Sequence, residues 1–426
     1  MKIKKLYLVL ILLFVFAIRV WSLWHPRTHI FDEVYCSFTA QEIAKGNPKA
    51  WEWWASPPKG FAYGWTHPYL AKLIMASGVL IFGESQFAFR FPAALFGTGV
   101  IYLIYLLAKQ IFKDEKIAFL SIFIASFDGL LFVMSRTGML DIFLLFFLLA
   151  AIFFTLKEKY LWSGIFLGFS IATKWTGIYL YPVIGVVLLA VFITKTKRTH
   201  KSIVQWSSGL MVQWVLAFVL IPIAVYLFSY TLFFTSGHTF AQFIGLQKQM
   251  WWYHTNLEAT HSYQSKAWTW PLMLRPVWFW VDYQKNKVAN IYNRGNPVIW
   301  WSGLAVLPLA VYQAIKELKK EGTFSLGFVI FCYFAFWLPW IFSPRIMFLH
   351  HYMPAIPFLC ILIAWFLNKL VSGKWQVATL KISGKLVAGC WLLVAIIIFL
   401  LFYPIYTGIS IPQNYFKLLL WLPSWK

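Results

Sequence analysis

The sequence predicts an all-α polytopic membrane protein of about eleven transmembrane helices, with interfacial helices in its external loops. Three observations carry that prediction. Hydrophobic residues make up 61% of the 426 positions and charged residues only 12%, about half the charged share of a soluble domain. The apolar residues gather in repeated runs near the ~20 residues that cross ~30 Å of hydrocarbon, which indicates helices rather than barrel strands. The 37 lysines and arginines, against 14 acids, concentrate in the gaps between runs. A net charge of +23 would suggest nucleic acid in a soluble chain; in short loops it sets topology instead, and no nucleic-acid partner is implied.

Taken in order, Met1-Lys2-Ile3-Lys4-Lys5 starts inside and Leu6 to Trp24 forms the first span, with no small-residue cleavage site after it. This places Asp32 and Glu33 in a first external loop, 25–86, whose Trp51, Trp53, Trp54, Pro57, Pro58 and Trp65 suit a platform at headgroup level. His67 to Gly83 is apolar but short and contains Lys72, so it reads as interfacial or re-entrant. Phe87 to Ile111 returns the chain inside, to Lys113 and Lys116.

Ile117 to Met134 and Leu140 to Leu156 pair through an outer turn at Ser135-Arg136-Thr137. Leu161 to Ala172 and Ile178 to Ile193 pair through Lys174-Trp175-Thr176-Gly177, then meet the basic loop Lys195, Lys197, Arg198 and Lys201 inside. After a span from Val204 to Tyr230, the segment 231–297 is external, with Phe243, Leu246, Met250 and Tyr253 at helical spacing. Four spans follow, Val298 to Tyr312, Phe324 to Phe342, Tyr352 to Leu370 and Leu386 to Tyr403, forming a C-terminal membrane part over 298–403. Lys316 to Lys320 and Lys369 to Lys385 then fall inside and the C-terminus outside. The whole, 1–426, reads as one membrane domain. Cys36, Cys332, Cys360 and Cys390 have no zinc or disulfide spacing and are expected as free thiols.

The chemistry-bearing residues gather on the outer side. Adjacent acids beside an apolar segment are costly to keep and mark function more often than not. A positioned Asp can accept a proton from an attacking hydroxyl, and a neighbouring acid can orient the acceptor or tune its pKa. Outer cations without acids beside them, such as Arg90, Arg136, Lys174, Lys72 and Arg275, could hold a phosphate at the membrane surface. Each also has a plainer reading. Arg90 could snorkel from a helix end, Arg136 could pair with Asp141, Lys174 could be a loop cation, and His350-His351 could be interfacial packing, since no carboxylates stand at ligand spacing. No nucleotide-binding motif is present, so an activated sugar would be lipid-linked.

Several stretches match a known family in order over about 320 residues. They are Phe31-Asp32-Glu33, His67-Pro68-Tyr69-Leu70-Ala71-Lys72, Phe89-Arg90-Phe91-Pro92, Ser135 to Asp141, Lys174-Trp175-Thr176-Gly177, Ser265 to Pro276 and His350-His351-Tyr352-Met353-Pro354-Ala355. With these the chain resembles the bacterial protein O-mannosyltransferases, polyprenyl- or dolichyl-phosphate-mannose–protein mannosyltransferases of the GT-C class. The resemblance implies a GT-C fold, a polyprenyl-phosphate-mannose donor and Ser or Thr acceptors on translocated proteins. By that carry-over Asp32 is the catalytic base, Glu33 its essential neighbour, and Arg90 and Lys174 donor-phosphate contacts. His67, Lys72, Arg136, Arg275, His350 and His351 join the expected donor and substrate site. His67-Pro68-Tyr69 departs from the family's usual His-Pro-Pro, and no segment is long or polar enough for the β-trefoil insert of eukaryotic members.

No cofactor or metal site is implied, although a hard divalent cation could sit at Asp32 and Glu33 with oxygen ligands. The expected setting is the cell membrane, N-terminus cytoplasmic and active site external, with the lipid donor, a secreted or membrane acceptor protein and the secretion translocon as partners. Two rivals remain: a GT-C enzyme moving another lipid-linked sugar, such as aminoarabinose, to a glycolipid, and a transporter or flippase. The second predicts ionisable residues spread through the spans, whereas here they cluster on one side.

Overall fold

The computed structural model describes residues 2–198, 203–321, 324–373 and 383–426; Lys201 and the centre of the basic segment Lys369 to Lys385 lie outside them. Among the described residues seven helices are long and apolar enough to cross a bilayer: Gln86–Phe112, Trp175–Lys195, Gly209–Thr235, Pro297–Lys319, Ser325–Phe342, Leu349–Val371 and Gly384–Thr407. That is fewer than the eleven or so apolar runs. The difference lies in two shorter apolar helices, Asp141–Leu156 and Tyr160–Thr173, in the first helix, Lys2–Val20, which carries Lys2, Lys4, Lys5 and Arg19, and in the run Ile117 to Met134; the apolar helix Leu70–Phe82 falls in the stretch expected as interfacial or re-entrant.

The chain divides into two compact units, Met1–Phe31 with Gly97–Thr137 and Glu258–Lys426, and Asp32–Phe96 with Gly138–Leu257. In the second, Cys36–Ala44 packs against Leu70–Phe82, and Asp141–Leu156 against Tyr160–Thr173. Gly78 permits a close helix contact, because a Cβ there would lie 2.2 Å from the Ala88 carbonyl oxygen and 2.9 Å from Pro92 Cγ. Pro92 has no N–H to give the Ala88 carbonyl four residues back, and Gly78 faces that interruption. The expected interfacial platform is in part an interior. Trp51 is buried, 4.5 Å from the Tyr69 ring, in a cluster with Tyr230, Phe233, Phe243, Leu246 and Met250. The last three lie on one face of Phe240–Asn256, a helix started by a Thr239–Gln242 capping box, while Trp251 and Trp252 are exposed on it.

In the other unit the expected span Ile117 to Met134 is broken. Glu115–Ser126 ends, and Asp128 caps a new helix, Gly129–Met134, by accepting from Leu131 N–H at 2.9 Å. Its second oxygen accepts from Trp300 Nε1 at 2.7 Å and from Asn296 N–H at 3.3 Å. A buried carboxylate thus ties the start of the helix Pro297–Glu321 to the break. The segment 231–297, expected as helices, also holds most of a small antiparallel sheet. Strand β1 (Val277–Gln284) pairs with β2 (Lys287–Asn293), and β2 with the short β3 (Ile411–Pro412). The run Val277-Trp278-Phe279-Trp280-Val281, β-branched and aromatic, favours a strand, and Lys285-Asn286 makes the turn.

Asp128→Ala removes the cap and leaves the Trp300 and Asn296 N–H groups without their acceptor. The expected loss is about 2–3 kcal/mol, read as a lower melting temperature of the detergent-solubilised protein, with Asp128→Asn falling between the variant and wild type.

Candidate active site

Asp32 and Glu33 sit on a single 3-10 turn, Phe31–Val34. Phe31 enters it at φ +44°, a left-handed conformation that costs a side-chain-bearing residue about 1–2 kcal/mol. Aromatic contacts hold it there: its ring stacks on Phe279 at 4.6 Å and meets Phe348 and His350 edge-on at 5.6 and 6.0 Å.

Glu33 is fully buried. Its Oε1 accepts from Arg90 Nε at 2.8 Å and from the Gly138 backbone N–H at 2.8 Å, and its Oε2 accepts from Arg90 Nη2 at 2.7 Å. The planar guanidinium matches both carboxylate oxygens at once. Removing one partner of such a buried pair costs about 3–5 kcal/mol, because the other charge is left uncompensated. Gly138 is needed for the approach of its N–H: a Cβ there would lie 2.0 Å from Ser37 Oγ and 2.8 Å from Phe89 Cδ2. Ser37 Oγ in turn donates to the Gly138 carbonyl at 2.8 Å. Asp32, beside this locked glutamate, is half-buried.

A second buried pair joins Lys174 Nζ to Asp141 Oδ1 at 2.9 Å. Lys174 ends the helix Tyr160–Thr173, and Asp141 starts Asp141–Leu156, where the helix dipole favours negative charge. Lys72 is also buried and donates to the carbonyls of Gly64 and, at 2.6 Å, of His67, with its ammonium 3.9 Å from the centre of the Tyr69 ring. Burial pulls that ammonium down to about 7. The Cys36 thiol is pushed up to about 12, chiefly by burial and then by Asp32; Lys72 and Lys174 pull it the other way and Asp141 raises it further. His67 lies against the His254 ring at 4.9 Å, and His254 Nε2 is 2.8 Å from the Thr66 carbonyl.

The remaining expected site residues belong to the other unit. Arg136 Nη1 donates to the carbonyls of Ile18, Arg19 and Trp21 at 3.2, 2.6 and 2.7 Å, a cationic cap on the C-terminal end of the first helix. Arg275 Nη1 reaches the carbonyls of Ser424 and Lys426, and its Nε and Nη2 that of Ser262. His350 stacks on Phe348 and His351 at 5.6 and 4.7 Å, and His351 meets Trp340 at 4.5 Å, a packing arrangement within the turn Leu349–Ala355.

The family model for dolichyl-phosphate-mannose-protein mannosyltransferase matches residues 9–237, and the model for the C-terminal four-TMM region of protein-O-mannosyltransferase matches 239–425. The chain belongs to the dolichyl-phosphate-mannose–protein mannosyltransferase family. It is 27% identical to the polyprenol-phosphate-mannose–protein mannosyltransferase of Mycobacterium tuberculosis, over 95% of this chain and 88% of that one. With the enzyme of that name from Corynebacterium glutamicum it shares 25% identity over 89% of this chain and 86% of that one. Among solved structures, a chain of the Saccharomyces cerevisiae protein O-mannosyltransferase Pmt1-Pmt2 complex, bound to the sugar donor, has the same fold. The match has a TM-score of 0.84 at 16% identity, covering 100% of this chain and 93% of that one. The protein is therefore a multi-pass membrane glycosyltransferase of GT-C fold.

Within this mannosyltransferase Arg90 holds Glu33 through its Nε and Nη2. A divalent cation at the two acids fits poorly, because both Glu33 oxygens already hold donors. Gly138 and Ser37 were not singled out from the sequence. The available signal was a glycine inside the Ser135 to Asp141 stretch, but a backbone N–H leaves no residue-type signature. The Lys174–Asp141 pair joins residues 33 apart, and only the fold brings them together.

Gly138→Ala displaces either Ser37 or the Glu33 lock, and overpacking of this kind costs about 1–3 kcal/mol. The expected outcome is a lower melting temperature with strongly reduced sugar transfer; Ser37→Ala in the same chain restores part of the stability, because the nearest clashing atom is gone.

Proposed function

We propose that this mannosyltransferase moves mannose from polyprenyl-phosphate-mannose to Ser and Thr hydroxyls of translocated proteins, with inversion and with Asp32 as base. The observation that carries the assignment is the saturation of Glu33. Both of its oxygens hold N–H donors, so it is poorly placed to take a proton, whereas Asp32, next in the chain, is only half-buried. Glu33, Arg90 and Gly138 act as the frame that fixes the turn bearing Asp32.

In the reaction Asp32 takes the proton of the acceptor hydroxyl as its oxygen attacks the anomeric carbon. The bond from that carbon to the phosphate oxygen breaks on the opposite face, and polyprenyl phosphate leaves with the bonding electrons. Cations near the leaving oxygen stabilise the growing charge. Lys174 suits this role, since only one N–H of its ammonium is used by Asp141 and others can reach a phosphate. Lys72 is the second candidate: burial pulls its ammonium down to about 7, and a phosphate beside it would favour the charged form.

Mannose and a protein acceptor are supported by the names of the relatives, which cover most of this chain, rather than by the site geometry alone. The positive-inside pattern supports a cytoplasmic N-terminus and an active site on the external face of the cell membrane. Acceptors emerging unfolded from the secretion translocon would meet the enzyme there.

The test is transfer of radiolabelled mannose from polyprenyl-phosphate-mannose to a Ser/Thr-rich peptide by purified protein, with Asp32→Asn alongside. The variant is expected to fold normally and to lose activity by about 10²–10⁴-fold. Near-normal turnover by a folded Asp32→Asn protein removes Asp32 as base, and labelled glycolipid without labelled peptide replaces the acceptor.

A further inference from the structure

In the unit that carries the sheet, a cavity of about 290 Å³ lies among the end of the first helix, the outer part of β1 and the end of the helix Gly384–Thr407. Its aromatic side is formed by Trp21, Trp280 and His25. His25 stands edge-on to Trp280 at 5.4 Å, and its Nε2 is 2.9 Å from the Gly408 carbonyl oxygen. Gly408 takes φ +77°, the left-handed cap that ends a helix and leads Ser410 toward the sheet. The polar side is a hydrogen-bonded row. Ser410 Oγ donates to Gln284 Oε1 at 3.0 Å, and Gln284 Nε2 donates to Asp282 Oδ2 at 3.0 Å.

The lining narrows the chemistry. It contains one carboxylate and no lysine or arginine, which disfavours phosphates and carboxylates. The volume is near the lower end of the ~300–1,000 Å³ typical of small-molecule sites, room for a sugar ring or two. A hydroxyl, an amide and a carboxylate in a row offer both donors and acceptors, and sugar hydroxyls both donate and accept. An ammonium ligand would use only the carboxylate. The indole of Trp21, 70% exposed, offers an apolar face for the C–H side of a pyranose, as amphipathic aromatics do where one side is apolar and the other wet.

We propose that this cavity binds a neutral pyranose, namely a mannosyl group already attached to the acceptor polypeptide. This rests on the protein O-mannosylation reading above. It gives the enzyme a hold on partly modified chains, favouring them as acceptors over unmodified ones.

The experiment titrates methyl α-mannoside into full-length protein in detergent, followed by saturation-transfer NMR, and compares transfer to a Ser/Thr peptide with transfer to the same peptide carrying one mannose. Binding is expected in wild type and in Asp32→Asn. It weakens about tenfold in Asp282→Ala, as loss of a hydrogen bond to a charged group would, and comparably in Trp21→Ala, whose exposed side chain is not needed for folding. In both cavity variants the preference for the mannosylated peptide disappears while transfer to the unmodified peptide persists. No mannoside binding by a wild-type protein that does transfer mannose overturns the proposal, as does undiminished binding in both cavity variants or displacement of the sugar by choline. A protein that binds mannoside through Asp282 yet transfers none keeps the cavity a sugar site and refutes the catalytic reading instead.

Discussion

The buried contact of Glu33 with Arg90 and the Gly138 N–H is the constraint on which the proposed chemistry depends. It gathers into one interaction the turn Phe31–Val34, the helix Gln86–Phe112 and the segment leading to Asp141–Leu156. In a chain with 14 acids among 426 residues, a carboxylate sequestered this completely carries a large desolvation cost unless it is paired and hydrogen-bonded. Here two guanidinium N–H groups and a backbone amide meet it. What results is less a gain in stability than a fixed geometry, with Asp32 presented from a turn that cannot easily rotate.

The other buried charges follow the same logic on a smaller scale. Asp141 and Lys174 neutralise each other across a helix start and a helix end. Asp128 collects N–H donors at a broken helix, and Arg136 spreads its charge over a row of helix-terminal carbonyls. The distinction that matters for function is the partner's charge. Arg90 and Lys174 face carboxylates, whereas Lys72 donates to the neutral carbonyls of Gly64 and His67.

The helical membrane architecture was legible because hydropathy is local: Gly384–Thr407 and Pro297–Lys319 stand where the apolar runs place them. The face Phe243, Leu246 and Met250 was legible for the same reason, as a 3.6-residue period. What escaped depended on tertiary choices. The run through Val277 and Trp280 could bury its aromatics as helix or strand, and only pairing with β2 decides between them. The break was signalled only by Asp128-Gly129 inside an otherwise mostly apolar run, and the Trp300 and Asn296 donors that fix it come from far along the chain. At the site, Asp32 and Glu33 were visible as adjacent acids at a membrane edge. The resemblance implied Asp32 as base and Glu33 as its neighbour, but the contact that buries Glu33 was not legible, because Arg90 reaches it from 57 residues away.

The most direct test of the account is a double-mutant cycle on mannose transfer with Glu33→Gln, Arg90→Gln and the two combined, compared at equal amounts of folded protein. If Glu33 and Arg90 act as a single frame for Asp32, each replacement alone removes most of the activity and the combined variant is no worse than the more severe single one, a strongly non-additive result. If the two losses multiply, Glu33 and Arg90 serve the reaction independently, and the frame is not what positions the base.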